Sequence, residues 1–234
     1  MYNKKIGILC WEENAIPKGV AKIASLRGSA VNKESYDFPV VIKRVKGANP
    51  ETIIFNPSEN TLISMIYEMQ NMVKTDDVYA IGTSCGFNAI HQTKLANAVN
   101  VPVFASSLLQ VPLIAKFLKE NQSIGILSAR SKSLTKKHLY EAGITDSVSL
   151  NILGMEDYHE WNKLLVNTND DIDLKIIESE ICEASLELLK VNSHIRAFVL
   201  ECTDMSPFSA KIREITELPV FDFITLAHYV YSSL

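Results

Sequence analysis

An internal duplication, with a period close to half of the 234-residue chain, constrains the fold more than any other feature of the sequence. Matching stretches recur at offsets of 117 or 118 residues: KKIGILC (4–10) with QSIGILS (122–128), Cys85 with Cys202, and Pro-Val-Phe (102–104) with the same tripeptide (219–221). Because several matches share one register, we expect two units with the same fold rather than one irregular domain.

Short apolar runs that alternate with helical patterns indicate the class of fold. Strands are predicted at 6–10, 39–45, 78–83, 101–105, 124–128, 148–153, 196–201 and 218–223. Near-continuous apolar strands between amphipathic helices are typical of parallel sheets covered on both faces. The sequence therefore predicts an α/β protein of two pseudo-symmetric, doubly wound lobes with mainly parallel sheets and an active site in the cleft between them. The first lobe is predicted to comprise 1–105 and a C-terminal segment, about 218–234, and the second lobe 106–217.

Helices and one long connection are predicted in more detail. The tetrapeptide Asn56-Pro57-Ser58-Glu59 has the composition of a helix start, with a cap, a proline at the first position and an acid in the first turn. The stretch SLTKKHLYEAG predicts a helix that ends at Gly143. Residues 11–38 show little helical periodicity, so we predict either a lid that faces the substrate or a surface excursion. Two apolar helix faces are predicted: Leu62, Ile63, Ile66, Met69 and Val73 in the first half, and Ile176, Ile177, Ile181, Ala184, Leu188 and Val191 in the second.

Composition and charge argue against several classes of protein. The net charge is −4 and no basic cluster is longer than IKRVK, so a nucleic-acid partner is not expected. The apolar runs are far shorter than the ~20 residues of a membrane helix, and the N-terminus leads directly into a strand-like segment. We therefore expect no membrane association and a cytoplasmic location.

The cysteines are expected to be free thiols. Cys10, Cys85, Cys182 and Cys202 show neither CxxC nor Cys/His ligand spacing, so neither a disulfide framework nor a metal site is predicted. Cys10 and Cys182 are interpreted mainly as packing residues, although Cys10 follows a strand and is close enough to line the cleft.

Cys85 and Cys202 each follow a predicted strand, at the sheet edge where open α/β proteins bind ligands. A helix that starts there would lower the pKa of the thiol. Backbone amides and hydroxyls at the same strand ends would hold an anion such as a carboxylate, with helix capping as the alternative role of the hydroxyls. The candidate substrate-binding residues are Thr83, Ser84, Gly86, Phe87, Ser128, Ser133, Thr203 and Asp204.

Two thiols that face each other across one cleft suit the inversion of a carbon stereocentre. Inversion needs a base on one face of the carbon and an acid on the other, and a thiolate and a thiol can exchange these roles. Backbone amides at both turns would stabilise the developing enolate, so no cofactor and no metal are required. We expect a small-molecule carboxylate or amino-acid substrate, and we leave self-association into a homo-oligomer open.

The pair TSCGF and LECTDM resembles the cofactor-independent aspartate/glutamate/hydantoin racemase superfamily, and in particular its aspartate/glutamate racemase-like branch. The stretches FPVVIKRVKGA, SSLLQVPLIAKFL, IGILSARSKSLTKKHL and LPVFDFITL extend this resemblance over nearly the whole chain. The resemblance implies two pseudo-symmetric α/β domains, Cys85 and Cys202 as the two acid/base residues, and deprotonation next to a carboxylate without pyridoxal phosphate.

Departures from the superfamily pattern put the substrate in doubt. Cys85-Gly86-Phe87 stands where amino-acid racemases commonly have Cys-Asn-Thr, and Asp204 stands where glutamate racemases have histidine. Cys10-Trp11 replaces an Asp-Ser pair. The expected function is a racemase or epimerase of a small amino acid or related carbonyl compound. The alternatives are a decarboxylase or a cis–trans isomerase of a dicarboxylate, a non-catalytic metabolite-binding protein, and a redox dithiol.

Overall fold

Each half of the chain builds a four-stranded, all-parallel sheet in a computed structural model that describes residues 4–234. The first sheet has the order β2-β1-β3-β4, and the second has the equivalent order β6-β5-β7-β8. Their strands are β1 (Lys5–Cys10), β2 (Val40–Arg44), β3 (Val78–Thr83), β4 (Val103–Phe104), β5 (Ser123–Ser128), β6 (Leu150–Gly154), β7 (Ile195–Leu200) and β8 (Val220–Phe221). The predicted α/β class and the parallel sheets are confirmed.

The register repeats between the sheets in the way the duplication predicts. Ile8 of β1 lies between Ile42 of β2 and Gly82 of β3, and Ile126 of β5 lies between the corresponding neighbours in the second sheet. Both β1 and β5 are central strands and are almost completely buried. Burial on both faces explains why these strands are continuously apolar rather than alternating.

Helices flank both sheets. The α-helices are α1 (Lys18–Ala24), α2 (Glu59–Asn71), α3 (Gln92–Ala96), α4 (Val111–Phe117), α5 (Lys136–Glu141), α6 (His159–Asn162), α7 (Leu174–Val191), α8 (Ser209–Thr216) and α9 (Phe223–Ser232). The 3₁₀ helices are Glu13–Ala15, Lys33–Ser35, Gly86–His91, Ser107–Gln110, Ser131–Ser133, Met155–Asp157 and Thr203–Phe208, and π-helical turns lie at Glu51–Phe55 and Met72–Asp76. Among residues 4–234, no helix combines the length and the apolar composition that crossing a bilayer demands.

The start of α2 differs from the prediction. Ser58 is the N-cap, and its side chain accepts a hydrogen bond from the backbone N–H of Thr61. The cap therefore lies two residues after Asn56, because the chain at Asn56 still completes the preceding π-helical turn. The helix around SLTKKHLYEAG is present as α5, and Gly143 follows it with a φ of 76°.

Three residues of the predicted apolar helix faces point to solvent instead. Ile63 is 59% exposed, Ile176 is 46% exposed and Val191 is 70% exposed. Ile63 and Ile176 each adjoin a buried residue one position along the helix, and a helix turns by about 100° per residue, so they fall outside the stripe that meets the sheet. Val191 is the last residue of α7, beyond the part of the helix that packs on the sheet.

The two halves exchange helices. Phe223 and Leu226 of α9 belong to the apolar cluster of the first sheet, around Ile6 and Ile8. Conversely, α4 follows β4 of the first sheet, but its Val111 belongs to an apolar cluster with residues of the second sheet. Strand β8 pairs with β7 in the second sheet, so the C-terminal chain passes to the first lobe after β8 rather than at about residue 218. The division into two lobes otherwise stays a prediction.

The connection 11–38 contains α1, which its weak periodicity did not indicate. It contacts the second half of the chain: the backbone N–H of Lys18 donates to the carbonyl of Thr168 at 2.9 Å, and Lys22 Nζ donates to the carbonyl of Ile172 at 2.6 Å. The segment therefore bridges the halves beside the ends of β1 and β3. Whether it acts as a lid stays a prediction.

Candidate active site

Cys85 and Cys202 occupy equivalent places in the two sheets. Each lies two residues beyond the end of the third strand of its half, β3 or β7, and immediately before a six-residue 3₁₀ helix. Both cysteines line one cavity between the halves. The duplication therefore brings two thiols, 117 residues apart in sequence, to a common site.

The two cysteine turns contact each other through a pseudo-symmetric pair of interactions. Thr203 Oγ1 donates a hydrogen bond to the carbonyl oxygen of Ser84 at 2.6 Å. In the reciprocal contact, Gly86 lies so close to the carbonyl oxygen of Glu201 that a Cβ placed on Gly86 would come within 2.0 Å of that oxygen. The residue after each cysteine therefore packs on the residue before the other cysteine, and only glycine fits at position 86.

Two connected cavities surround these turns. The thiol cavity, defined by its lining residues, has a volume of about 20 Å³, which is room for about one water molecule. The outer cavity has a volume of about 170 Å³ and shares Trp11, Ser84, Thr203 and Asp204 with the thiol cavity. The thiol cavity is lined by Trp11, Ile54, Ser84, Cys85, Gly86, Phe87, Ala129, Trp161, Leu164, Leu165, Glu201, Cys202, Thr203 and Asp204.

Burial raises the pKa of both thiols well above the usual value, the opposite of the expected shift. For Cys85 the carboxyl of Glu201 is the next largest cause, and for Cys202 it is the carboxyl of Asp204. The prediction of a lowered pKa was wrong because the helix after each cysteine is a short 3₁₀ helix. Desolvation and two nearby carboxyl groups outweigh its small dipole. Both cysteines therefore rest as thiols.

Glu201 is a buried carboxyl that the sequence reasoning missed. Its Oε2 accepts hydrogen bonds from Ser128 Oγ at 2.9 Å and from the backbone N–H of Ala129 at 3.3 Å, whereas its Oε1 has no partner among the described residues. Burial raises its pKa to about 7, and burial also raises the pKa of Asp204 to about 7. A charged residue directly after the buried apolar run 197–200 was the available signal in the sequence.

The structure brings five of the predicted substrate-binding residues to the thiol cavity: Ser84, Gly86, Phe87, Thr203 and Asp204. Three others do not line it. Ser128 acts indirectly, through its hydrogen bond to Glu201. Thr83 is used in the core, where its hydroxyl donates to the carbonyl of Ala105 at 2.7 Å. Ser133 ends the 3₁₀ helix that follows β5 and does not line the outer cavity either.

Cys10 and Cys182 lie outside the thiol cavity. Cys10 is buried and lines the outer cavity, where its thiol donates to the carbonyl of Lys43 at 3.2 Å. Burial raises the pKa of the Cys10 thiol to about 11. Cys182 is partly buried on α7, in agreement with its interpretation as a packing residue.

Aromatic rings and charges are distributed unevenly between the two cavities. Trp11 and Trp161 both line the thiol cavity, and Trp161 Nε1 donates to the carbonyl of Ala129 at 3.2 Å. The thiol cavity has no Lys, Arg or His among the described residues that line it. Arg44 lines the outer cavity and is paired with Glu13 at 2.7 Å. Within 4–234, no group of three or more His, Cys, Asp or Glu side chains is arranged to hold a metal ion.

Comparison of sequences finds lyases among the relatives. The chain is 27% identical over 210 residues to a dimethylsulfoniopropionate lyase from Durusdinium sp. clade D, a match that covers 87% of this chain and 69% of that protein. It is 28% identical over 162 residues to dimethylsulfoniopropionate lyase 5 of Emiliania huxleyi, covering 67% of this chain and 32% of the relative. The chain thus spans about a third of the length of the Emiliania protein. No protein-family profile matches the chain.

Comparison of structures finds racemases and a decarboxylase. Allantoin racemase from Pseudomonas fluorescens superposes with a TM-score of 0.64 at 16% identity, over 98% of this chain and 90% of that one. Glutamate racemase RacE1 from Bacillus anthracis gives 0.58 at 14% identity, over 100% and 82% of the two chains. Arylmalonate decarboxylase gives 0.53 at 12% identity, over 99% and 92%. The chain therefore shares the fold of these racemases and of this decarboxylase, which is the fold that the resemblance in its sequence implied.

Proposed function

We propose that this protein is an enzyme that removes a proton from a carbon next to a carboxylate, with a cysteine thiolate as the base. The observation that carries the proposal is the pair of thiols, Cys85 and Cys202, at equivalent strand ends on one cavity. The fold is shared with racemases and a decarboxylase, whose reactions all produce charge on a carbon next to a carbonyl group. Backbone amides that follow both cysteines are available to stabilise that charge.

The charges around the site favour a substrate that is both an anion and a cation. Asp204 and Trp11 line both the outer cavity, which has room for a small molecule, and the thiol cavity, which must widen to admit one. Glu201 and Trp161 add a second carboxyl group and a second ring at the thiol cavity. A methylated cation is stabilised by carboxylates and by aromatic faces and needs no hydrogen-bond acceptor. Arg44 in the outer cavity can bind a carboxylate through guanidinium N–H groups other than the Nε that is paired with Glu13. Dimethylsulfoniopropionate, in the names of the sequence relatives, combines these two charges in one small molecule.

The leading reaction is therefore β-elimination. The thiolate takes the proton from the carbon next to the carboxylate, and the electron pair of that C–H bond forms the new carbon–carbon double bond. The bond between the neighbouring carbon and the sulfonium sulfur breaks, and its electron pair leaves with the sulfur. The products are acrylate, neutral dimethyl sulfide and a protonated cysteine, which loses its proton before the next turnover. The neutral leaving group requires no acid.

Racemisation or epimerisation of a small amino acid is the second candidate. The second thiol favours it, because inversion needs a donor on the opposite face of the carbon, whereas elimination needs only one base. The ammonium group of an amino acid is also a cation that Glu201 and Asp204 would attract. A dicarboxylate substrate, as in the decarboxylase and cis–trans isomerase alternatives, is disfavoured because Arg44 is the single basic residue among the described residues lining either cavity.

One experiment separates these reactions. The purified protein is incubated in D2O with dimethylsulfoniopropionate and, separately, with L- and D-amino acids and 5-substituted hydantoins. Gas chromatography measures dimethyl sulfide, proton NMR measures acrylate and deuterium exchange, and chiral chromatography measures inversion. We expect equal amounts of dimethyl sulfide and acrylate, absent in the Cys85→Ser variant. Exchange with inversion of an amino acid would establish the second candidate. Binding of these compounds without release or exchange would overturn both and favour a metabolite-binding protein.

A further inference from the structure

Trp11 carries a buried donor that the fold leaves without a partner. The residue is 7% exposed, and its indole Nε1–H has no hydrogen-bond partner among the described residues. The ring lines both the thiol cavity and the outer cavity. An unpaired buried N–H destabilises the folded protein, so an acceptor that forms only during the reaction would be favoured by pairing with it.

Cys85 lines the thiol cavity together with Trp11, so its sulfur is an acceptor in the same cavity that the Trp11 ring borders. Burial and the carboxyl of Glu201 raise the pKa of this thiol, while the backbone N–H of Phe87 and the indole N–H of Trp11 lower it. Charged acceptors form stronger hydrogen bonds than neutral ones. Loss of the Cys85 proton would therefore give Trp11 the acceptor that it lacks in the resting enzyme.

The second thiol has no equivalent donor. At Cys202 the donor is the backbone N–H of Asp204, the counterpart of the Phe87 N–H in the first half. Ala129 occupies the place of Trp11 in the repeat, and its backbone N–H is committed to Glu201. The carboxyl groups of Glu201 and Asp204 act on both thiols, and each thiol also faces the other. The surroundings of the two thiols therefore differ by one unpaired donor, the indole N–H of Trp11.

We propose that Trp11 is a positioning residue that selects Cys85 as the thiolate, so that Cys85 is the base and Cys202 remains protonated. Only the role of Cys85 as the base in catalysis rests on the proposed function. The difference between the two thiols belongs to the protein itself and is present without substrate.

The test compares alkylation of the two thiols by iodoacetamide in the absence of substrate, with rates for each cysteine-containing peptide followed by mass spectrometry over a range of pH. In the wild type, Cys85 is expected to react faster than Cys202, because only the thiolate reacts. Trp11→Phe should slow Cys85 about tenfold at a given pH, the effect of one hydrogen bond to a charged group, and should leave the Cys202 rate unchanged.

Two further variants separate the N–H from the ring. Trp161→Phe removes an indole from the same cavity whose N–H already donates to Ala129, so the ratio of the Cys85 and Cys202 rates should not change. Benzothienylalanine at position 11 keeps the shape of the indole and replaces its N–H by sulfur, so it should reproduce Trp11→Phe even where phenylalanine disturbs the fold. Equal rates at the two thiols of the wild type, or an unchanged Cys85 rate in both position-11 variants, would overturn the proposal. Absence of turnover with every substrate would overturn only the proposed function.

Discussion

The turn after β3 and the turn after β7 occupy the same place in their sheets, yet they surround their cysteines with different groups. Ser84 precedes Cys85, whereas Glu201 precedes Cys202. In the positions that follow, Gly86 and Phe87 correspond to Thr203 and Asp204. Both carboxyl groups of the thiol cavity therefore come from the second half of the chain. The difference shows how a duplicated fold can keep two thiols in equivalent positions and still make the two faces of its site chemically unequal.

The largest expected effect comes from removing the two thiols separately. Cys85→Ser should lower the rate of proton abstraction by at least about 10³-fold, because a serine hydroxyl is too weak an acid to supply the base. Cys202→Ser should lower elimination by only about tenfold and should abolish any inversion, since it removes a donor rather than the base. Deuterium exchange and dimethyl sulfide release measure the two effects.

Cys182→Ser is the matched control for this pair. Cys182 lies on α7, away from the thiol cavity, so turnover should stay within about twofold of the wild type. Equal losses of exchange in Cys85→Ser and Cys202→Ser would show that both thiols act as bases and would contradict the functional difference between the two turns.

The contacts between the turns give the next largest effect. Gly86→Ala should lower the free energy of unfolding by about 3 kcal/mol, because the new Cβ would meet the carbonyl oxygen of Glu201 and neither backbone can yield easily. Thr203→Val keeps the volume and removes the 2.6 Å hydrogen bond to Ser84, at a cost of about 1 kcal/mol. Urea unfolding of both variants would measure the difference. A Gly86→Ala protein as stable as Thr203→Val would mean that the two halves separate easily at this contact.

The carboxyl groups of the second turn predict a dependence of stability on pH. Burial raises the pKa of Glu201 from 4.5 to about 7, so the folded protein holds a proton that the unfolded chain releases. Its contribution is fully present below pH 4.5 and is lost as the pH rises through about 7. The titration of Glu201 alone should therefore lower the free energy of unfolding by about 2 kcal/mol between about pH 5.5 and about pH 7.5.

Glu201→Gln tests the source of this dependence. The amide stays neutral at every pH, so the fall in stability should be about half that of the wild type, and the remainder should come from Asp204, whose pKa is raised from 3.8 to about 7. Urea unfolding at several pH values measures both slopes. An unchanged slope in Glu201→Gln would show that Glu201 is already ionised in the folded protein.

Much of the architecture could be predicted because its signals are local in the sequence. The apolar runs located all eight strands, and the repeat placed Cys85 and Cys202 at equivalent strand ends. Helix faces were harder to predict, as Ile63 and Ile176 show. Two consecutive apolar residues point about 100° apart around a helix, and the sequence does not say which of the two is buried. Residues 11–38 concealed α1, because a seven-residue helix is too short to display a clear period.

The sequence by itself determined the parallel strands of the two halves and the pair of thiols, since these follow from strand patterns and from a repeat that is visible in one dimension. Only the tertiary structure decided the chemistry of those thiols. It placed the unpaired N–H of Trp11 beside Cys85 and the carboxyl of Glu201 against Gly86, across the two halves. It also reversed the expected pKa shift of both cysteines. The physical reason is that desolvation and Coulomb interactions depend on distances in space, and the groups concerned lie far apart along the chain.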